Sequence, residues 1–311
     1  MATSTRRQSD STTRRILVPY DASPRSERAL KYACTSFPED DIVALHVLTR
    51  AEIGDSGDGW VDSPDAFEEW ASSQRDRGDS EVFAGAIQIA DEYEVSIDTA
   101  LAVGPVRRAV VDYWTRQDFD FLVMDVKGTG FRRVLDFLTG DVNERLSRAA
   151  TRPAVLVNDR MDLPTERQSD PAERQIVVPL EKTVRSRNAL EFACSTFPEA
   201  DITVLCMYVV WGADRTVVLD RVEAPQERLA EIVASAELIA AEADTTISTV
   251  YGYGALDRAV LQYLDGHATD LAVLGTPGRA RLSELSVPSA SERLLRNSPV
   301  PLAVVPTRTR S

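Results

Sequence analysis

The chain has 311 residues, with 35 basic against 49 acidic side chains and a formal charge of −14. That length suits two domains, each able to bury a sizeable core, and that charge argues against nucleic acid or an anionic membrane as a partner. Only Lys31, Lys127 and Lys182 are lysines; such an acidic, lysine-poor composition is of halophilic type, since molar salt screens self-repulsion over about 3 Å.

Residues 1–13 are polar, with no apolar run, and read as a disordered tail ahead of a cytoplasmic protein. "RRILVPYDAS" (14–23) then predicts a strand buried on both faces. In the helix that follows, Ala29, Leu30, Ala33, Cys34 and Phe37 form one apolar face, with Ser23 and Pro24 as its start and Pro38 as its stop. "DIVALHVL" (41–48) predicts a second buried strand. Residues 49–80 are rich in Gly, Asp and Ser and read as a mobile insertion, with Trp60, Phe67 and Trp70 as its anchors. A helix (82–93), a strand (95–102), a helix (105–116), the strand "DFLVMD" (120–125) and a last strand "PAVLVN" (153–158) complete a first half.

The same order then repeats. "RSERALKYACTSFPEDDI" (25–42) returns as "RSRNALEFACSTFPEADI" (185–202), and Arg14–Ile42 against Arg174–Ile202 gives 15 identities in 29 positions. This is an internal duplication. It divides the chain into a first domain (14–158), a polar linker (159–173) and a second domain (174–307). Strands alternating with helices predict, for each, a five-stranded α/β sandwich with a parallel sheet.

The longest apolar run, Val204 to Trp211, is too short to cross a bilayer. Cys34, Cys194 and Cys206 form no metal spacing and read as core residues of a reducing compartment, so no metal site is expected. His46 and His267 have no Ser or Cys partner at a suggestive spacing. There is no phosphate-binding Gly-x4-Gly-Lys loop and no Gly-x-Gly-x2-Gly after the first strand. The chain is therefore read as a binding protein, not an enzyme.

In an open α/β sheet, ligands bind outside the carboxyl ends of the strands where the strand order reverses. That points to Asp21, Ala22 and Ser23, to Glu181, Lys182 and Thr183, and to the loops after the fourth strands. In the second half that loop reads "LGTPGRARLSELSVPSASERLL", from Gly275 and Gly278 to a helix starting near Ser289. Small residues leading into a helix can cradle phosphate through backbone N–H groups.

These segments resemble the universal stress protein family in its tandem two-domain form, over nearly the whole chain and in the same order. The resemblance implies Rossmann-like sandwiches, akin to adenine nucleotide alpha hydrolases, that dimerise through their last strands. In some members it implies ATP binding through Gly-x2-Gly-x9-Gly-Ser/Thr, with an aspartate after the first strand. The second half keeps Gly275, Gly278 and Ser289, with Pro288 at the third glycine and Glu181 at the aspartate; Pro179, Leu180 and Ala290 complete that candidate set. The first half keeps Asp21 and Gly128, but Asp125 stands at the first glycine and the loop ends in Gly140-Asp141. A carboxylate 4 Å from a phosphate oxygen repels by about 4 kcal/mol at an effective dielectric of 20, so this pocket reads as degenerate unless Mg²⁺, or Arg132 and Arg133, compensate.

Plainer readings stand beside these. Ser289 with Glu292, and Asp141 with Glu144, are capping boxes. Gly275 and Gly278 fit a tight turn, and Glu181 and Lys182 fit a solvated rim.

Two functions follow. One is a cytoplasmic stress-associated regulatory protein that binds ATP, with Mg²⁺, or another adenine nucleotide weakly in the second domain. The alternative is a pseudo-dimeric interaction scaffold that has lost nucleotide binding and meets a protein partner through 49–80. In either, the two last strands, Ala154 to Asn158 and Leu302 to Pro306, are expected to pair antiparallel within one chain.

Overall fold

The computed structural model describes residues 13–48, 82–126, 152–164, 170–208, 225–276 and 290–307. The first half runs β1 (Arg15–Pro19), α1 (Pro24–Ser36), β2 (Asp41–Leu48), α2 (82–92), β3 (Ile97–Val103), α3 (Val106–Arg116), β4 (Phe121–Asp125) and β5 (Ala154–Val157). The second repeats it as β6 (Gln175–Leu180), α4 (Val184–Thr196), β7 (Asp201–Tyr208), α5 (Pro225–Glu242), β8 (Ile247–Tyr253), α6 (Leu256–Gly266), β9 (Leu271–Thr276), α7 (Ala290–Asn297) and β10 (Leu302–Pro306). The insertion at 49–80 lies outside the described residues.

The strands form one ten-stranded sheet in the order β3-β2-β1-β4-β5-β10-β9-β6-β7-β8. Within each half every pairing is parallel. The halves join where β5 and β10 pair antiparallel, with Leu302 opposite Leu156, Ala303 opposite Val155 and Val304 opposite Ala154. The last strands thus meet as the sequence predicts, and the order 3-2-1-4-5 is mirrored across the seam. Each half reverses direction between its first and fourth strands, which places a crevice at β1/β4 and another at β6/β9.

The local chemistry repeats with the topology. Ser23 caps α1 by accepting from the Ser26 N–H at 3.3 Å, and Thr183 caps α4 by accepting from the Ser186 N–H at 3.2 Å. Pro24 occupies the first turn of α1, where its missing N–H costs nothing. Both helices stop at a phenylalanine, Phe37 and Phe197, ahead of Pro38 and Pro198. After α2 and α5 the chain turns through left-handed Glu94 and Asp244, one in each half.

The central strands are buried on both faces: Ile16, Leu17 and Val18 in β1, and Val177 and Val178 in β6, are 3% exposed or less. All three cysteines are buried, and burial pushes the Cys34 thiol up to about 12 and those of Cys194 and Cys206 to about 11. They are packing groups with no thiolate character. The start of the linker is less polar in space than in sequence, because Met161 is buried and the Asp162 N–H donates to the Pro299 carbonyl at 2.8 Å. Among the described residues, no helix is long and apolar enough to cross a membrane.

Candidate functional site

The two crevices can be compared position by position, because the halves superpose in sequence at a constant offset through their first helices. After the first strand, both use a serine one turn into the helix to tie the loop down. Ser26 Oγ accepts from the Asp21 N–H at 3.2 Å and donates to the Ser23 carbonyl at 3.0 Å. Ser186 Oγ accepts from the Glu181 N–H at 3.1 Å and donates to the Glu181 carbonyl at 2.7 Å.

The acids on these loops behave differently. Asp21 is exposed at the strand end, and its carboxylate accepts from the Ser23 N–H at 3.1 Å. Burial works against its charge, but the hydrogen bonds from Ser23 and Ser26 outweigh it and hold the carboxyl below its ordinary value. Glu181 is half-buried; burial pushes its carboxyl up, with Arg185 offsetting only part. It is not the fully solvated rim acid of the plainer reading. Pro179 and Leu180 are buried in β6, so they offer the crevice backbone alone. Lys182 forms an exposed ion pair with Glu231 of α5.

The fourth strands differ most. Gly275 lies at the end of β9 directly under the first turn of α4. A Cβ built there would overlap the Arg185 carbonyl and stand 2.9 Å from the Ser186 nitrogen. Its glycine is required by this helix-on-strand approach, a reason that neither the turn reading nor the phosphate reading contains. It also brings the positive end of α4 to the crevice. At the matching place in β4, Asp125 carries a carboxylate only 3% exposed, which accepts from Arg28 Nη1 of α1 at 2.5 Å. Burial pushes the Asp125 carboxyl up, and Arg28 offsets only part of that.

Of the other candidates, Gly128, Gly140, Asp141, Gly278 and Ser289 lie outside the described residues, while Ala290 opens α7. Sequence reasoning missed Ser26, Ser186 and Arg28. Arg28 had a signal: aligned at an offset of 160 it faces Asn188, so the first half exchanges an Asn and a Gly for an Arg and an Asp together. His46 is a core residue, 5% exposed, with Nδ1 2.9 Å from the Tyr20 carbonyl. Among the described residues there is no group of three or more His, Cys, Asp or Glu able to hold a metal.

Fold and crevices together define a tandem doubly wound α/β protein whose two switch-point crevices differ in their lining. The model of the universal stress protein family matches residues 12–158 and again 173–306, and the chain belongs to that family. A universal stress protein from Archaeoglobus fulgidus superposes with a TM-score of 0.58 at 17% identity, over 94% of this chain and 96% of that one. A putative universal stress protein from Pseudomonas aeruginosa gives 0.47 at 12%, over 94% and 93%. An Arabidopsis thaliana family protein solved with AMP bound gives 0.34 at 11%, over 44% of this chain and 93% of that one. The first of these supports the fold. No curated protein matches.

Proposed function

We propose that the chain is a stress-associated regulatory protein that binds an adenine nucleotide, ATP with Mg²⁺ as the expected form, in the crevice of its second half. The observation that carries the reading is Gly275. Where the first half presents a buried carboxylate, the penultimate residue of β9 has no side chain and packs against the first turn of α4, whose backbone dipole favours anions. Glu181 would face the nucleoside in the place of the family's aspartate, and Ser289 with Ala290 would meet the phosphates. Pro288 withholds one N–H from that nest, and Glu231 holds Lys182 at the rim, so the expected affinity is weak.

Titration with Mg·ATP in molar KCl, followed by calorimetry, tests this. One weak site per chain, lost in Gly278→Asp, is the expected result. Two sites, or binding that survives the substitution, would refute the assignment. No heat at millimolar ATP would favour the second reading, a pseudo-dimeric scaffold.

A further inference from the structure

At the end of its fourth strand the first half carries an ion pair whose residues occur in the second half at neither position. Asp125 ends β4 at the place matching Gly275, the penultimate residue of β9, and Arg28 stands on α1 where Asn188 stands on α4. Asp125 depends on its partner: without Arg28 its carboxylate, 3% exposed, would keep only the more distant charge of Arg25, and breaking such a pair is costly because the remaining charge stays buried. Arg28 is also constrained: its Nη1 reaches the Asp125 carboxylate at 2.5 Å from one helical turn inside α1. The two substitutions form a single unit.

We propose that the Arg28–Asp125 ion pair is an internal plug, which occupies the switch-point crevice of the first half and makes that half silent toward anionic ligands. The inference rests on the second half being the nucleotide site, since the unplugged crevice serves as its reference. The carboxylate takes the position nearest the strand end, where an incoming phosphate would meet its charge. The guanidinium that could have received a phosphate is already committed to it. Arg28 also walls a cleft of about 280 Å³ between α1, Tyr93 and Leu163–Pro164 of the linker, on the side of the helix away from the strand ends. One chain would then carry a single responsive half and a fixed one.

The test is the double exchange Asp125→Gly with Arg28→Asn, which gives the first half the second half's residues at these two positions. Mg·ATP stoichiometry is measured by calorimetry on the full chain, with the wild type in parallel. One site in the wild type and two in the variant is the expected result. One site in both overturns the plug and leaves the second-half site intact. No site in the wild type but one in the variant overturns the second-half reading and keeps the plug; none in either overturns both. Should the double exchange fail to fold, Asp125→Ser with Arg28→Asn keeps a Cβ at position 125, which the first half already accommodates, and carries the same expectation. A folded Ser/Asn variant that still binds no additional nucleotide would overturn the proposal.

Discussion

Arg14 and Arg174 hold equivalent positions ahead of β1 and β6, and each donates across the seam to the end of the other half's first helix. Arg14 Nη1 donates to the Thr196 carbonyl at 2.6 Å, and Arg174 Nη2 donates to the Ser36 carbonyl. Between them Phe37 and Phe197 stack with centroids 6.2 Å apart. Each guanidinium lies over both rings, Arg14 at 5.8 and 5.2 Å and Arg174 at 4.9 and 5.3 Å. The last carbonyls of a helix lack intrahelical partners, so the arginines satisfy them while tying the halves together.

The symmetry is broken at one acid. Arg14 pairs with Asp40 of its own half, Nη2 to Oδ2 at 2.7 Å and Nε to Oδ1 at 3.0 Å, and the corresponding residue of the second half is Ala200. Burial lowers the proton affinity of Arg174, which is 6% exposed, beside a Tyr32 whose phenol burial pushes up to about 12. The same substitution should therefore have unequal effects. Arg14→Leu takes the ion pair from the buried Asp40 carboxylate, leaving it the Arg14 backbone N–H at 3.1 Å and the nearby charge of Arg174, and should cost about 3 kcal/mol. Arg174→Leu removes a buried charge along with its hydrogen bond and should cost about 1 kcal/mol. Urea unfolding in molar KCl measures both. Equal losses would show that Asp40 contributes nothing to the seam.

A pH dependence follows from Asp257, which links α6 to α7. Arg293 Nε donates to its Oδ2 at 2.5 Å and Nη2 to its Oδ1 at 3.3 Å. That hydrogen bond leads the causes holding the Asp257 carboxyl below its ordinary value, against a smaller opposing effect of burial. A depressed folded pKa means that the unfolded chain binds more protons. The contribution is therefore present above the unfolded value of about 4 and lost as pH falls through the folded one. Arg293 has a side chain 41% exposed, so salt screening limits the contribution to about 1 kcal/mol. Asp257→Asn should lower the melting temperature at pH 7, with the gap from wild type closing below about pH 4. A gap that stays constant down to pH 3 would assign the loss to packing.

The architecture was legible because both of its signals are local or repeated. Runs such as "ILVP" and "DIVALHVL" mark doubly buried strands by composition alone, and the duplication showed that the order of elements repeats. The pairing of β5 with β10 followed from two short apolar edges on one chain. The site was less legible, because its decisive contacts join elements far apart in sequence. Gly275 reads locally as a turn or phosphate glycine, yet its constraint comes from Arg185, 90 residues earlier, and appears only once α4 lies across β9. Lys182 is solvated as it reads, but its ion-pair partner Glu231, on α5, is 49 residues away in sequence. Arg28 sits among the polar positions of an amphipathic helix, and nothing local distinguishes it from a surface arginine. Comparing the halves with each other does, since the Arg28/Asn188 and Asp125/Gly275 exchanges occur together.

The seam itself can be broken with one charge. Val304 is 1% exposed, opposite Ala154 of β5 on one side and Leu274 of β9 on the other. In Val304→Asp a carboxylate enters the middle of a ten-stranded sheet with apolar neighbours in register on both sides, at a cost of at least about 3 kcal/mol unless the group protonates or the strands part. Parting relieves the charge by returning β10 to solvent, and it exposes the β5 edge as well. The linker keeps the two edges at an effective concentration on the order of millimolar, so the halves remain neighbours without being held. Two uncovered apolar edges on one chain then favour pairing with a second chain. The expected outcome is faster amide exchange confined first to β5 and β10, and a shift from monomer toward dimers and larger species as protein concentration rises in size exclusion. A variant with wild-type exchange at Val155 and Leu156 and an unchanged elution volume would show that the halves are held by the arginine–phenylalanine cluster alone, with the strand pairing contributing little.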